Sequence, residues 1–273
     1  MSRRLRYDIP GEDWRRSHSS IVESGIEGMF APELEPPLSL VVEIGFCRGE
    51  FLMDMARRHP KRAFLGVEIS FKRVLKMARR FALTDLENVR LVEADGEGVV
   101  ASLLGDATVE EFWINFPDPW PKARHAGRRI VQSRFVSQMA SRLVDGGVVQ
   151  IASDDAIYAS HIDEILSGEP LLRNAFDAPF LPRVPGRLET DYESAWRAEG
   201  RPLHFFCYER LPRSSLEPSR TLPASGVAVP PARLRPRGAL AGGGSLGTAQ
   251  TVCPRGLVCC LGLSRVLSGH PRV

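Results

Sequence analysis

The chain has 273 residues, 43% hydrophobic and 25% charged, a usage that excludes a collagen, a wholly disordered chain and a disulfide miniprotein. No apolar run reaches the roughly eighteen residues of a membrane helix, and the charged first thirty residues lack the apolar segment of a secretory signal. The net charge of +3 is uneven: eight Arg and one Glu follow residue 210, leaving 28 basic and 32 acidic side chains before it, so a polyanion site there must be a local patch.

Residues 1–37 read as a polar, irregular extension ending in Pro36-Pro37. Arg3, Arg4 and Arg6 are followed by Asp8, Glu12 and Asp13, which argues against a transit peptide. From residue 38 to 210 strands and helices alternate. Residues 38–44 form a mostly apolar strand. Residues 50–58 form a helix with Phe51, Leu52 and Met55 on one face. Residues 63–67 are the next strand, and Phe71, Leu75 and Ala78 mark a second helix. Strands follow at 89–92 and 110–115, then a helix over 131–143 ended by Gly146-Gly147, then a strand over 148–151. An aromatic-rich strand over 203–208 is expected to add antiparallel to the sheet. The expected fold is α/β, a doubly wound, Rossmann-like, mostly parallel sheet covered on both faces, in one domain over 38–210. Residues 211–273 are expected to be disordered, because 17 Gly and Pro in the 62 residues from Pro212 leave too little apolar surface to offset chain entropy. That tail is either dispensable or a cationic arm that tethers RNA. The five Cys are odd in number and lack zinc spacing, so a reducing, cytoplasmic setting is expected.

Ligands of such sheets bind beyond the carboxyl ends of the strands. The loop after the first strand contains Gly45 and Gly49, a tight turn that admits a ligand close to the backbone. A full dinucleotide fingerprint would have Gly at 45, 47 and 50, but Cys47 and Glu50 stand there. Glu50 at a helix start repels a pyrophosphate, so the loop suits a ligand without phosphate. Acids end three successive strands. Glu43 closes the first. Glu68, 19 residues after Gly49, is placed for ribose hydroxyls, and Asp95 for an adenine amino group. The set fits a nucleoside carrying a cation, which is the chemistry of S-adenosylmethionine. Glu68 and Asp95 could instead be helix caps or turn residues.

The stretch 114–129 follows the fourth strand. Pro117, Pro119 and Pro121 stiffen it and hold Asp118 and Trp120. Lys122, Arg124, His125, Arg128 and Arg129 come next, a basic cluster suited to a base on a phosphate backbone. Asn115, Pro-Asp-Pro-Trp at 117–120, Lys122, Arg124-His125 and Arg128-Arg129 resemble the signature of the bacterial tRNA (guanine-N7)-methyltransferase family. The resemblance covers about residues 38–210. It implies a class I methyltransferase fold, S-adenosylmethionine as cofactor, and tRNA as partner, methylated at guanosine 46 of the variable loop. It further implies that Glu43, Glu68, Asp95 and Asp118 hold the cofactor, with Gly45 in the first loop, and that Asp118 is catalytic. Lys122, Asp154 and the element Thr190-Asp191-Tyr192-Glu193 match the family's substrate contacts. Arg124, Arg128 and Arg129 are expected on the RNA backbone. Cys47 departs from the family, which usually has Gly there, and Asp191 stands where Lys is common. A methyltransferase for another substrate, a non-catalytic RNA binder and a nicotinamide-dependent oxidoreductase are the competing readings.

Overall fold

The apolar runs of the sequence become the buried centre of one sheet. The computed structural model describes residues 7–215. In chain order it has β1 (Arg15–Arg16), α1 (His18–Phe30), β2 (Leu40–Ile44), α2 (Glu50–Arg58), β3 (Ala63–Glu68), α3 (Phe71–Phe81), β4 (Val89–Glu93) and α4 (Gly96–Ser102). Then come β5 (Val109–Asn115), a 3-10 turn (Ala123–Arg128), α5 (Ser133–Arg142), β6 (Leu143–Ser153), α6 (Ala156–Ser167), β7 (Leu172–Asn174), α7 (Asp191–Ala198) and β8 (His204–Arg210). The sheet order is β1-β4-β3-β2-β5-β6-β8-β7. All pairings from β1 to β6 are parallel, and β8 runs antiparallel to both its neighbours. This is the doubly wound, mostly parallel sheet expected, with its antiparallel addition. Every residue of β2 and of β3 is buried, as strands covered on both faces require. The chain winds from β2 outward to β3 and β4, then returns to β5 on the other side of β2. A ligand crevice therefore opens between the carboxyl ends of β2 and β5. Among the described residues no helix is long and apolar enough to cross a membrane.

Helix α2 buries Phe51, Leu52 and Met55, as its spacing suggests, and Met53 as well. Helix α3 buries Val74, Leu75, Met77, Ala78 and Phe81. Phe71, read from spacing as core-facing, is 38% exposed. It is the first residue of the helix and packs on Tyr7, 6.1 Å between ring centres.

Two expectations are corrected. Gly146-Gly147 does not end α5, which stops at Arg142 and passes directly into β6. Leu143 pairs with Val109 and Val148 with Glu111, so β6 spends residues 144–147 where β5 spends only Glu110. Gly146 adopts φ 78° in this excursion, and a side chain on Gly147 would meet the Glu110 carbonyl oxygen at 2.9 Å. The glycines serve a bulge, not a helix cap. The second correction concerns the first 37 residues, which are not all irregular. Ser17 and Ser20 form a reciprocal capping box at the start of α1. The α1 side chains Ile21, Met29 and Phe30 join the core. Arg90 on β4 is fully buried and holds this segment down: it donates to the Met29 carbonyl at 2.7 Å, pairs with Glu33 at 2.7 Å and lies under Trp14 at 4.4 Å. The segment 216–273 expected to be disordered lies outside the described residues, as do Arg3, Arg4 and Arg6.

Candidate active site

A cavity of about 560 Å³ sits at the carboxyl ends of β2, β3, β4 and β5. Its floor is the turn between β2 and α2. Gly45, Cys47 and Gly49 alternate in the left-handed region, at φ 77°, 50° and 68°. Glycine adopts that region freely, whereas a side chain there is strained. Cys47 is held by its own amide, which donates to Glu68 Oε2 at 3.1 Å. At Gly49 a side chain would be strained by the φ of 68° and would displace Met77, whose Sδ would stand 2.3 Å from the Cβ. Four non-glycine residues among those described have positive φ, and three of them, Cys47, Phe116 and Trp120, line this cavity. Backbone strain of this kind concentrates at functional sites.

All four expected acids line the cavity. Glu43 is 3% exposed. Its Oε1 accepts from Asn115 at 3.0 Å, while Oε2 is buried with no hydrogen-bond partner among the described residues. Burial pushes its carboxyl up to about 7, against the pull of Asn115 and of the Arg187 charge. Glu68 is equally buried and accepts from the amides of Cys47 and Ser70, with Arg73 at 3.4 Å. Asp95 is exposed and caps α4, accepting from the Gly98 amide at 2.7 Å. The turn and cap readings of Glu68 and Asp95 therefore hold, and they coexist with lining the cavity. Asp118 is exposed at the mouth and makes no hydrogen bond to another described residue.

The proline-rich loop passes into the 3-10 turn, so the basic cluster is ordered. Gln132 clamps it, donating to the carbonyls of Ala126 and Arg129 at 3.0 Å each. Lys122, Arg124 and Arg128 are exposed. Arg128 lies over the Trp120 ring at 5.0 Å and reaches the cavity. Arg129 is a correction. It is 7% exposed, donates from Nε to the Pro119 carbonyl at 2.9 Å and stacks on Tyr158, so it braces the loop from within and does not stand out with the exposed Lys122, Arg124 and Arg128.

The late element contributes unevenly. Thr190 caps α7 by accepting from the Glu193 amide at 3.1 Å, and Thr190 and Tyr192 line the cavity. The Asp191 side chain lies outside the described atoms. Glu193 does not reach the cavity. Its buried carboxylate is taken by Arg187 in a short contact and by Arg197 at 3.0 Å. Asp154 also stands outside the lining, half-buried and 3.6 Å from Arg201. Neither acid lines the cavity, and each faces an arginine.

Arg187 escaped the sequence reading. Its side chain is 4% exposed and its guanidinium joins Glu193 to Asn115 Oδ1, the latter at 2.6 Å. Asn115 in turn holds Glu43. One chain of hydrogen bonds therefore runs from α7 to the orphaned acid of the cavity. A lone Arg in an aperiodic stretch gives no signal in sequence; only its position three residues before Thr190 hinted at a shared element.

Comparison with known proteins adds the chemistry. A family of putative methyltransferases matches residues 38–206. A tRNA (guanine-N(7)-)-methyltransferase of Thermotoga maritima is 40% identical over 163 residues, 59% of this chain and 51% of that protein. One from Leifsonia xyli subsp. xyli is 39% identical over 172 residues, 63% of this chain and 76% of that protein. The chain thus spans about half the length of the first relative and three quarters of the second. Among solved structures, the 16S rRNA methyltransferase KamB gives a TM-score of 0.48 at 13% identity, over 67% of this chain and 91% of that one. The family model over residues 38–206, together with 39% identity to a relative covered over 76% of its length, makes the chain a member of the tRNA (guanine-N(7)-)-methyltransferase family.

Proposed function

We propose that this chain transfers the methyl group of S-adenosylmethionine to N7 of a guanine in tRNA, at guanosine 46 of the variable loop. The observation that carries the reading is the buried, unpartnered Oε2 of Glu43 in a cavity that also holds Asp118 and Trp120. A buried acceptor without a donor is costly, so a ligand that supplies a donor or cation fits there. The ammonium of the cofactor's methionyl part is such a group. Glu68, with two acceptor sites engaged by amides, retains lone pairs for ribose hydroxyls. Asp95 keeps Oδ2 for an adenine amino group while Oδ1 caps α4. Gly45 offers the ligand a bare backbone. When bound, the cofactor supplies an electrophilic methyl on a sulfonium.

Guanine N7 carries a lone pair and no proton, so no side chain has to act as a base. Positioning is then the main task. Asp118, held by Pro117 and Pro119 and free of internal hydrogen bonds, is placed to accept from the N1 and N2 edge of the guanine. It also counters the positive charge that passes to the ring. Trp120 gives the base a stacking surface, and Lys122, Arg124 and Arg128 take phosphates. Binding of the backbone offsets the cost of withdrawing the base from its tertiary contacts. Thr190 and Tyr192 form the wall contributed by α7.

The test is incorporation of tritiated methyl from S-adenosylmethionine into bulk tRNA that lacks the modification, followed by nucleoside mapping. The expected product is 7-methylguanosine confined to the variable loop, lost in a tRNA with adenosine at position 46. Label in another base or another molecule would overturn the reading.

A further inference from the structure

Helix α3 carries Lys72, Arg73, Lys76, Arg79 and Arg80 within eleven residues and no acid. Lys72, Arg73, Lys76 and Arg80 are exposed, and Lys72, Lys76 and Arg80 recur every fourth residue along one stripe. Arg79 and Arg80 in the last turn suit the helix dipole, but the other three charges do nothing for the helix itself. Like charges four apart repel. Lys72 and Arg73 occupy the first turn, where the helix dipole disfavours cations. The cluster also stands in a folded region whose formal charge is acidic. Internal partners account for part of it only. Arg73 reaches Glu68, Arg79 pairs with Asp8 at 3.0 Å and Arg80 donates to the Arg48 carbonyl at 2.7 Å. Lys72 and Lys76 have no ion pair among the described residues.

The basic face of α3 is continuous with the cavity, because exposed Arg73, next to Lys72 and one turn before Lys76, also lines the cavity. Arg48 and Arg128 complete a rim of three guanidinium groups. Helix α3 follows β3 and the Lys122–Arg128 stretch follows β5, and those two strands flank β2 on opposite sides. Two basic surfaces therefore stand on either side of one mouth. We propose that the exposed face of α3 is a second RNA-docking surface, which takes backbone phosphates of the same tRNA whose guanine enters the cavity. The proposal rests on the methyltransferase reading for the identity of the RNA, and on charge and continuity for the surface.

The test is the double variant Lys72→Ala and Lys76→Ala, compared with Arg58→Ala and Lys61→Ala. The second pair removes the same charge from exposed positions at the last residue of α2 and in the turn before β3, at the opposite end of the strands. Binding of unmodified tRNA is measured across a salt series, with cofactor affinity and 7-methylguanosine formation alongside. The α3 variant is expected to bind tRNA roughly tenfold more weakly, with a salt slope shallower by about 1 to 2, since each lost phosphate contact releases fewer counterions. Its cofactor affinity should stay at the wild-type level, and the control pair should match wild type in all three. Equal loss in both pairs, or loss in neither, overturns the docking surface while wild-type methylation of tRNA still supports the reaction. Tight, α3-dependent tRNA binding by a wild-type chain that forms no 7-methylguanosine upholds the surface and sinks the reaction. A wild-type chain that binds no tRNA overturns both.

Discussion

Glu43 is the residue on which the cofactor site turns. Its buried carboxyl is raised from the usual 4.5 to about 7, so between those values the folded chain keeps a proton that the unfolded chain has lost. Stability accordingly falls as pH rises through that window, by up to about 3 kcal/mol. A cationic ligand requires the ionised form, so cofactor affinity should rise from pH 5 to pH 7 and then level. Each binding event near pH 6 should release one proton. Calorimetry in two buffers of different ionisation enthalpy reads that proton directly. Glu43→Gln should weaken binding and give the same heat in both buffers. Asp118 makes a different forecast. Asp118→Asn keeps the size of the side chain but removes its charge, so tRNA methylation should fall on the order of 10²- to 10³-fold while the cofactor still binds. A variant that methylates tRNA at the wild-type rate would remove Asp118 from the chemistry. Glu43, Glu68 and Asp95 were legible because each stands at or just past the end of a buried strand, where a carboxylate is conspicuous, and Asp118 because prolines flank it. Glu193 lacks that signal: it sits in an acidic motif on a helix, and its partners Arg187 and Arg197 become visible only when α7 folds back.

At the scale of elements, legibility followed periodicity and burial. Strands β2 to β5 are short apolar runs and were found within two residues of their ends. Helix α1 was hidden because Gly25, at φ 70°, breaks its geometry, and Gly28 adds another small residue to its face. Helix α7 offers almost no apolar stripe, and among its described side chains only Glu193 is buried. It is held by the ion pairs of Glu193 and by half-buried Trp196, which packs on Phe116 at 4.9 Å and on a small cluster of Ala152, Leu203 and Phe205. That gives a prediction about the tie between α7 and the cavity. Arg187→Ala removes the bridge from Glu193 to Asn115 and leaves Arg197 as the remaining partner of Glu193. Breaking a buried pair of this kind typically costs 3–5 kcal/mol, and the surviving partner places the expected loss near 3 kcal/mol. Denaturant unfolding measures it. Cofactor titration should show weaker binding as well, since Asn115 loses the group that orients it toward Glu43. Arg187→Lys should recover little, because a single ammonium does not span both acceptors. Unchanged cofactor affinity in Arg187→Ala would show that α7 and the cavity are independent.

For the whole molecule, the family match begins at residue 38 but the folded body begins earlier. Trp14, Ile21, Met29 and Phe30 are all buried, and at about 1.5–3 kcal/mol for each large apolar side chain their loss approaches the net stability of a typical domain. A chain starting at residue 38 should therefore melt far below the full chain, or fail to fold, when the two are compared by circular dichroism. Equal melting would show that the segment only decorates the sheet. Sequence reasoning passed over this segment because two arginines make a poor strand. They form one only where β4 offers them an edge, which is a tertiary circumstance. That edge has a consequence for the life of the protein in a crowded solution. The outermost strands of the sheet, β1 and β7, have two and three residues, and the long apolar strands all lie inside. Short borders leave little open ladder for another chain to extend. A proteolytic cut that released β1 would bare the side of β4 along Leu91 and Val92, turning a protected sheet into a template for strand-by-strand aggregation.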